Sequence, residues 1–97
     1  MLRDIGGDMF TNVTYTTIDM ARWDEAFKGI EAVKGRLKGM PGFERAYWLA
    51  PVDGHGLMIS VWADEASARA GTMPPGFSPA PGVTVDRVET RELIAQT

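Results

Sequence analysis

The sequence predicts an α+β domain in the order β-α-β-β-α-β, the ferredoxin-like split βαβ plan, with an antiparallel sheet carrying both helices on one face. Three observations lead there. The run from Val13 to Ile18 is β-branched or aromatic throughout, which suits a pleated surface. Trp23, Ala26, Phe27, Ile30, Val33, Leu37 and Met40 recur at three- and four-residue steps, the helical period. Two apolar runs, 43–50 and 57–63, flank Asp53-Gly54, a pair that supports the positive φ of a tight hairpin.

Each element follows from local chemistry. In the first strand, 13–18, threonines alternate poorly with apolar groups, so one face is expected to meet water or a cavity. Asp19 caps a helix over 20–38, with Asp24 and Glu25 early and Lys34 and Lys38 late, as the helix dipole prefers. Gly39 stops it and Pro41-Gly42 blocks continuation. Gly29 and Gly35 cost helix propensity, and one of them is expected to let the helix sit close to a sheet. Strands at 43–50 and 57–63 enclose a turn over 51–56. Asp64 caps a short helix, 65–70, ending at Gly71. Residues 71–82 hold four prolines and three glycines and read as an irregular loop. The last strand, 83–94, shifts its apolar positions from odd (Val83, Val85) to even (Val88), which predicts a bulge near Asp86-Arg87.

Composition bounds the function. The 97 residues make one domain, with 1–10 as an N-terminal arm. A chain of this mass buries about 64% of its unfolded surface, so a second copy would supply missing burial. The net charge of −3, with ten Lys and Arg spread along the chain, argues against nucleic acid and anionic membranes. Without cysteine there is no disulfide framework, thiolate metal site or Cys nucleophile, and a single histidine excludes His-rich metal sites. No apolar run approaches membrane-spanning length, and MLRDIGGDMF lacks the apolar region of a signal peptide, so the expected location is cytoplasmic.

Helix one running into Met40-Pro41-Gly42-Phe43 is followed by the hairpin, then by Val61-Trp62-Ala63-Asp64-Glu65-Ala66. Pro81-Gly82-Val83 then opens the last strand. In this order and spacing, residues 12–94 resemble the dimeric α/β-barrel superfamily and, within it, the antibiotic-biosynthesis-monooxygenase-like domains. The resemblance implies a homodimer whose sheets close into a barrel, with a pocket between sheet and helices in each protomer. It implies cofactor-independent oxygenase chemistry on a small aromatic or polyphenolic substrate that is itself the reductant. Relatives also include haem-degrading enzymes. The sequence departs from the pattern: Met58 and Ala68 stand where such oxygenases carry Asn and Tyr, and no histidine follows His55 for a haem. A non-catalytic small-molecule carrier and a non-oxidative cyclase or isomerase stay open. An RNA-binding module shares the element order, but its third strand should be basic, and Leu57 to Ala63 carries no base.

Candidate catalytic residues are Trp62, Tyr15 and His55. Trp62 matches the family's strand-end tryptophan and would stack on a planar ligand; the alternative is a core tryptophan with a satisfied indole N–H. Tyr15, on one face with Thr17, offers a phenol for proton transfer, or sits at the surface. His55 titrates near neutrality but lies between two glycines in the expected turn. Candidate ligand contacts are Trp23 and Phe27 on the helix stripe, which otherwise form core. Met58 and Ser60 share a strand face with Trp62. Arg45, with its fork of donors, and Tyr47 lie on the second strand, whose inward face the sequence leaves open. The 71–82 loop is a connector or a lid over the pocket.

Overall fold

The computed structural model describes residues 8–97. Strand β1 (Phe10–Ile18) is followed by a 3-10 turn (Met20–Arg22) and helix α1 (Trp23–Lys38). The hairpin β2 (Phe43–Val52) and β3 (His55–Trp62) leads to helix α2 (Glu65–Ala70) and strand β4 (Val83–Glu92). All pairings are antiparallel, in the order β2-β3-β1-β4, so the predicted plan is the observed one.

Capping chemistry sets the start of the 3-10 turn and of α2, whereas α1 follows the turn at Arg22 without a side-chain cap, so Asp19 caps the turn and not the helix proper. The Asp19 carboxylate accepts from Ala21 N at 3.1 Å, and Asp64 from Ser67 N at 2.7 Å. That bond, first to the backbone and then to the Ser67 side chain, holds the Asp64 carboxyl below its ordinary range. The hairpin is tighter than expected. Only Asp53 (φ 51) and Gly54 (φ 79) form the turn, and Pro51, Val52, His55 and Gly56 belong to the strands. Two consecutive positive φ values suit the right-handed twist of the flanking strands. β1 begins earlier than expected, at Phe10, and β4 ends earlier, at Glu92. Residues 1–7 of the expected arm lie outside the described residues; Met9 O accepts from Leu93 N at 2.9 Å.

Register assigns the two sheet faces. Asn12, Thr14 and Thr16 of β1 are buried toward the helices, beside Gly56, Met58, Ser60 and Trp62 of β3. Ala46 and Trp48 of β2 pair with Ser60 and Met58 and share that side. The other, helix-free face carries Val13, Tyr15, Leu57, Ile59, Arg45 and Tyr47. The predicted bulge is present: Tyr15 pairs with Arg87 and Thr16 with Val85, leaving Asp86 supernumerary.

The core joins Val33 and Leu37 of α1 to Met58, Trp62 and Ala68. Trp62 is fully buried, meets Phe43 edge-on at 5.4 Å, and donates its indole N–H to Ser60 Oγ at 2.8 Å. Gly71 lies flat against the ring, because a Cβ there would fall 2.3 Å from Trp62 Cζ2. Asn12, 1% exposed, ties α2 to the sheet: its amide donates to Ala68 O at 2.7 Å and accepts from Thr90 Oγ1 at 2.8 Å.

The Pro-rich segment is latched rather than loose. Gly76 N donates to Val85 O at 2.7 Å, and Val85 N to Phe77 O at 2.8 Å. Ala80 is buried against Gly29, where a Cβ would fall 2.4 Å from Ala80 Cβ. Gly29 therefore admits this segment rather than the sheet, and Gly35 has no neighbour within 4 Å.

Candidate functional site

The helix-side threonines of β1 form the floor of an apolar chamber of about 70 Å³ beneath α1. Thr14 and Thr16 face Trp23, Ala26, Ile30 and Val33 of the helix, with Met58 and Trp48 at the sides. Met73 and the Pro79-Ala80 segment close the remaining wall. Small residues create the space. Ala26 puts one methyl where the stripe elsewhere carries larger groups, and a Cβ at Gly56 would fall 2.6 Å from Thr16 Oγ1.

The polarity of this lining is its chief chemical fact. No titratable side chain lines the chamber. Its hydroxyl side chains are Thr14 and Thr16, 3% and 9% exposed, and neither hydroxyl has a hydrogen-bond partner among the described residues. No fully buried side-chain oxygen among the described residues lacks a partner, so these two hydroxyls open onto the chamber and are available to a ligand's oxygen or nitrogen. Among the described residues there is no cluster of three or more metal-ligating side chains.

The structure divides the expected site residues. Trp23 and Met58 line the chamber. Phe27, 60% exposed, belongs to an outer groove with Tyr47 and Trp48 on the β2 side rather than to the core, and meets Trp23 at 5.6 Å. Trp62 and Ser60 satisfy each other within the core and line no described cavity. Tyr15 lies on the opposite face of the sheet. There the Arg87 guanidinium sits 3.7 Å over its ring, and its hydroxyl donates to Glu89 Oε1 at 3.2 Å. Arg87 in turn bonds Glu89 Oε2 at 2.5 Å, which holds the Glu89 carboxyl below its ordinary range. Arg45 is on that same face, donating to Gln96 Oε1 at 3.0 Å. His55 is exposed at the start of β3, opposite Thr17. Three proposed catalytic side chains therefore do not converge, and none touches the chamber.

Sequence reasoning missed Thr14, Thr16 and Gly56 as site residues. The signal was present in the phase Asn12-Thr14-Thr16, polar at every second position of a strand with one buried face.

No family model and no curated protein matches the chain. Solved structures do. The cofactor-independent oxygenase SnoaB from Streptomyces nogalater is 21% identical, covers 93% of this chain and 96% of its own, and has a TM-score of 0.66. The heme-degrading protein Rv3592 from Mycobacterium tuberculosis is 14% identical over 94% of this chain and 97% of its own, with a TM-score of 0.69. NE2512, a protein of unknown function from Nitrosomonas europaea, is 11% identical over 95% of each chain, with a TM-score of 0.67. The expected ferredoxin-like fold is thus shared with these structures, and at these identities the likeness is one of fold.

Proposed function

We propose that the chain binds a small aromatic molecule beneath α1 and promotes its oxidation by O₂ without a cofactor. The observation that carries this reading is the chamber itself: apolar walls, two unpartnered hydroxyls and no charge. The fold shared with a cofactor-independent oxygenase supports it. In the proposed reaction a phenolate or enolate of the substrate is the reductant. Electrons pass from the oxidised CH₂ carbon to O₂. One oxygen atom stays as the new carbonyl, and the other leaves as water with the two hydrogens of that carbon. The protein's part is to orient the ring and exclude water, while the Thr14 and Thr16 hydroxyls hydrogen-bond the substrate oxygen.

A chamber without an acid or base supplies no proton acceptor, so the substrate must arrive ionised. The pH profile of the rate is then the substrate's own. The test is oxygen uptake by purified, metal-stripped protein against a panel of anthrones, which carry the CH₂ carbon the reaction needs, at several pH values. Uptake that needs the protein, tracks each substrate's pKa and falls in Thr14→Val supports the proposal; no uptake from any of them ends it.

The second reading is a carrier, favoured by the same absence of titratable lining and by Met58 and Ala68. It expects ligand quenching of Trp23 and Trp48 with no product formed. Under either reading we place the chain in the cytoplasm; no described helix is long and apolar enough to cross a membrane. Either reading also pairs two copies through the helix-free face. In support, Tyr47, Leu49 and Val52 of β2 are 52%, 48% and 69% exposed, large apolar side chains on the strand that forms one edge of the sheet.

A further inference from the structure

The chamber beneath α1 is too small for the molecules just proposed, since about 70 Å³ is well below the roughly 300–1,000 Å³ of ordinary ligand pockets. The missing volume lies next door. A groove of about 390 Å³ runs between α1, the end of α2 and the Pro-rich segment. Val33, Met58 and Met73 line both spaces and so form the partition between them. Val33 is fixed on the helix and Met58 on the central hairpin strand, both in the buried core. Met73 is only partly buried and sits on the segment joining α2 to β4.

The backbone around Met73 is held on both sides. Gly71 N bonds Ser67 O and Ala68 O at 3.0 Å, and Gly76 and Phe77 are paired with Val85. The segment is therefore not a lid. What can move is the Met73 side chain, unbranched and with three rotatable bonds. The groove also has a charged end. Arg36 lines it, is exposed, donates to Pro79 O at 3.4 Å, and has no carboxylate partner among the described residues.

Resting on the reading that the chamber is the ligand site, we propose that chamber and groove are one elongated site gated by the Met73 side chain. Its ligand is a flat, largely apolar acid, with its anionic group at Arg36 and its far end, which carries the oxygen bonded by Thr14 and Thr16, passing Met73 into the chamber. Arg36 selects for the charge, and Met73 sets how far the body enters.

Two fluorescent probes share one ring body and differ in charge: 8-anilino-1-naphthalenesulfonate and neutral N-phenyl-1-naphthylamine. The sulfonate should bind at least fivefold more tightly, and Arg36→Gln should erase that preference while leaving the neutral probe unchanged. Met73→Ala should tighten both probes. Met73→Ile, similar in volume but stiff at χ1, should weaken both severalfold with an unchanged circular dichroism spectrum. In methyl NMR spectra, Thr14 and Thr16 should shift when either probe binds. Equal affinities for the two probes, unchanged binding in Met73→Ile, or threonine methyls that stay put would each overturn the proposal. The outcomes separate from those of oxygen uptake. Probe binding as described without uptake keeps this site and removes the oxygenase; uptake with immobile threonine methyls does the reverse.

Discussion

Replacing Gly71 by alanine tests the packing argument with a single methyl group. Its backbone, at φ −88° and ψ 1°, is open to any residue, so glycine is not required there for its torsion angles. On conformational entropy alone, Gly→Ala at such a position stabilises by about 0.4–1 kcal/mol. The new Cβ, however, would fall 2.3 Å from Trp62 Cζ2, 2.5 Å from Cη2 and 3.0 Å from Cε2. The ring has nowhere to go: it is 0% exposed, tied to Ser60 and braced by Phe43. Overpacking of this kind costs about 1–3 kcal/mol. The net expectation is a loss of about 1–2 kcal/mol, and at about 4–8 °C per kcal/mol for a domain of this size the melting temperature falls by roughly 5–15 °C. Gly35→Ala is the internal control. It makes the same chemical change inside α1, where a Cβ meets nothing within 4 Å, and should gain up to about 1 kcal/mol. Urea denaturation followed by circular dichroism measures both. Trp62→Phe removes the clashing edge, so Gly71→Ala should cost less in that background. A Gly71→Ala variant as stable as the parent would refute the reasoning about Trp62.

Three further outcomes follow from the same structure. Asn12→Leu leaves the Ala68 carbonyl and the Thr90 hydroxyl without their buried partner and should cost about 1–3 kcal/mol, read by urea denaturation. Thr14→Val and Thr16→Val remove hydroxyls that bond nothing in the protein, so stability should stay within about 0.5 kcal/mol while affinity for hydroxyanthrones drops in titration calorimetry. Asp64→Ala removes a cap whose carboxyl pKa is lowered in the fold. The parent's advantage is therefore full above the unfolded value of about 4 and shrinks as pH falls through the lower folded value; melts from pH 7 to pH 2 should converge.

Much of the fold was legible because its signals are local. Asp19 and Asp64 each cap within three residues, and Asp53-Gly54 fixes a turn by its own torsion angles. The switch from Val85 to Val88 announces the bulge without reference to any other strand. The site was less legible because it depends on which sheet face receives the helices. β1 offers two phases, Asn12-Thr14-Thr16 and Val13-Tyr15-Thr17, and hydrophobicity alone puts the second against α1. The structure does the opposite. In the buried polar phase Asn12 bonds Ala68 and Thr90, while the more apolar phase lies on the helix-free face. That choice removed Tyr15, Arg45 and Tyr47 from the floor of the chamber at one stroke. Trp62 was hidden by a different cause: its hydrogen-bond partner, Ser60, is two residues away on the same strand, and a satisfied indole needs no ligand.

Asp86 is the one residue of β4 without a pairing position on β1, and Thr17 Oγ1 donates to both its carboxylate oxygens, at 3.1 and 2.8 Å. Removing it would let Val85 and Arg87 follow each other in regular pairing, and every other side chain would keep its present side. The strand spells the same message with one letter fewer. What would change is curvature, because a bulge bends its strand and deepens the local twist. Asp86 thus contributes shape as well as its bond from Thr17. A chain lacking it should keep the architecture of the domain and present a flatter helix-free face to whatever packs against it.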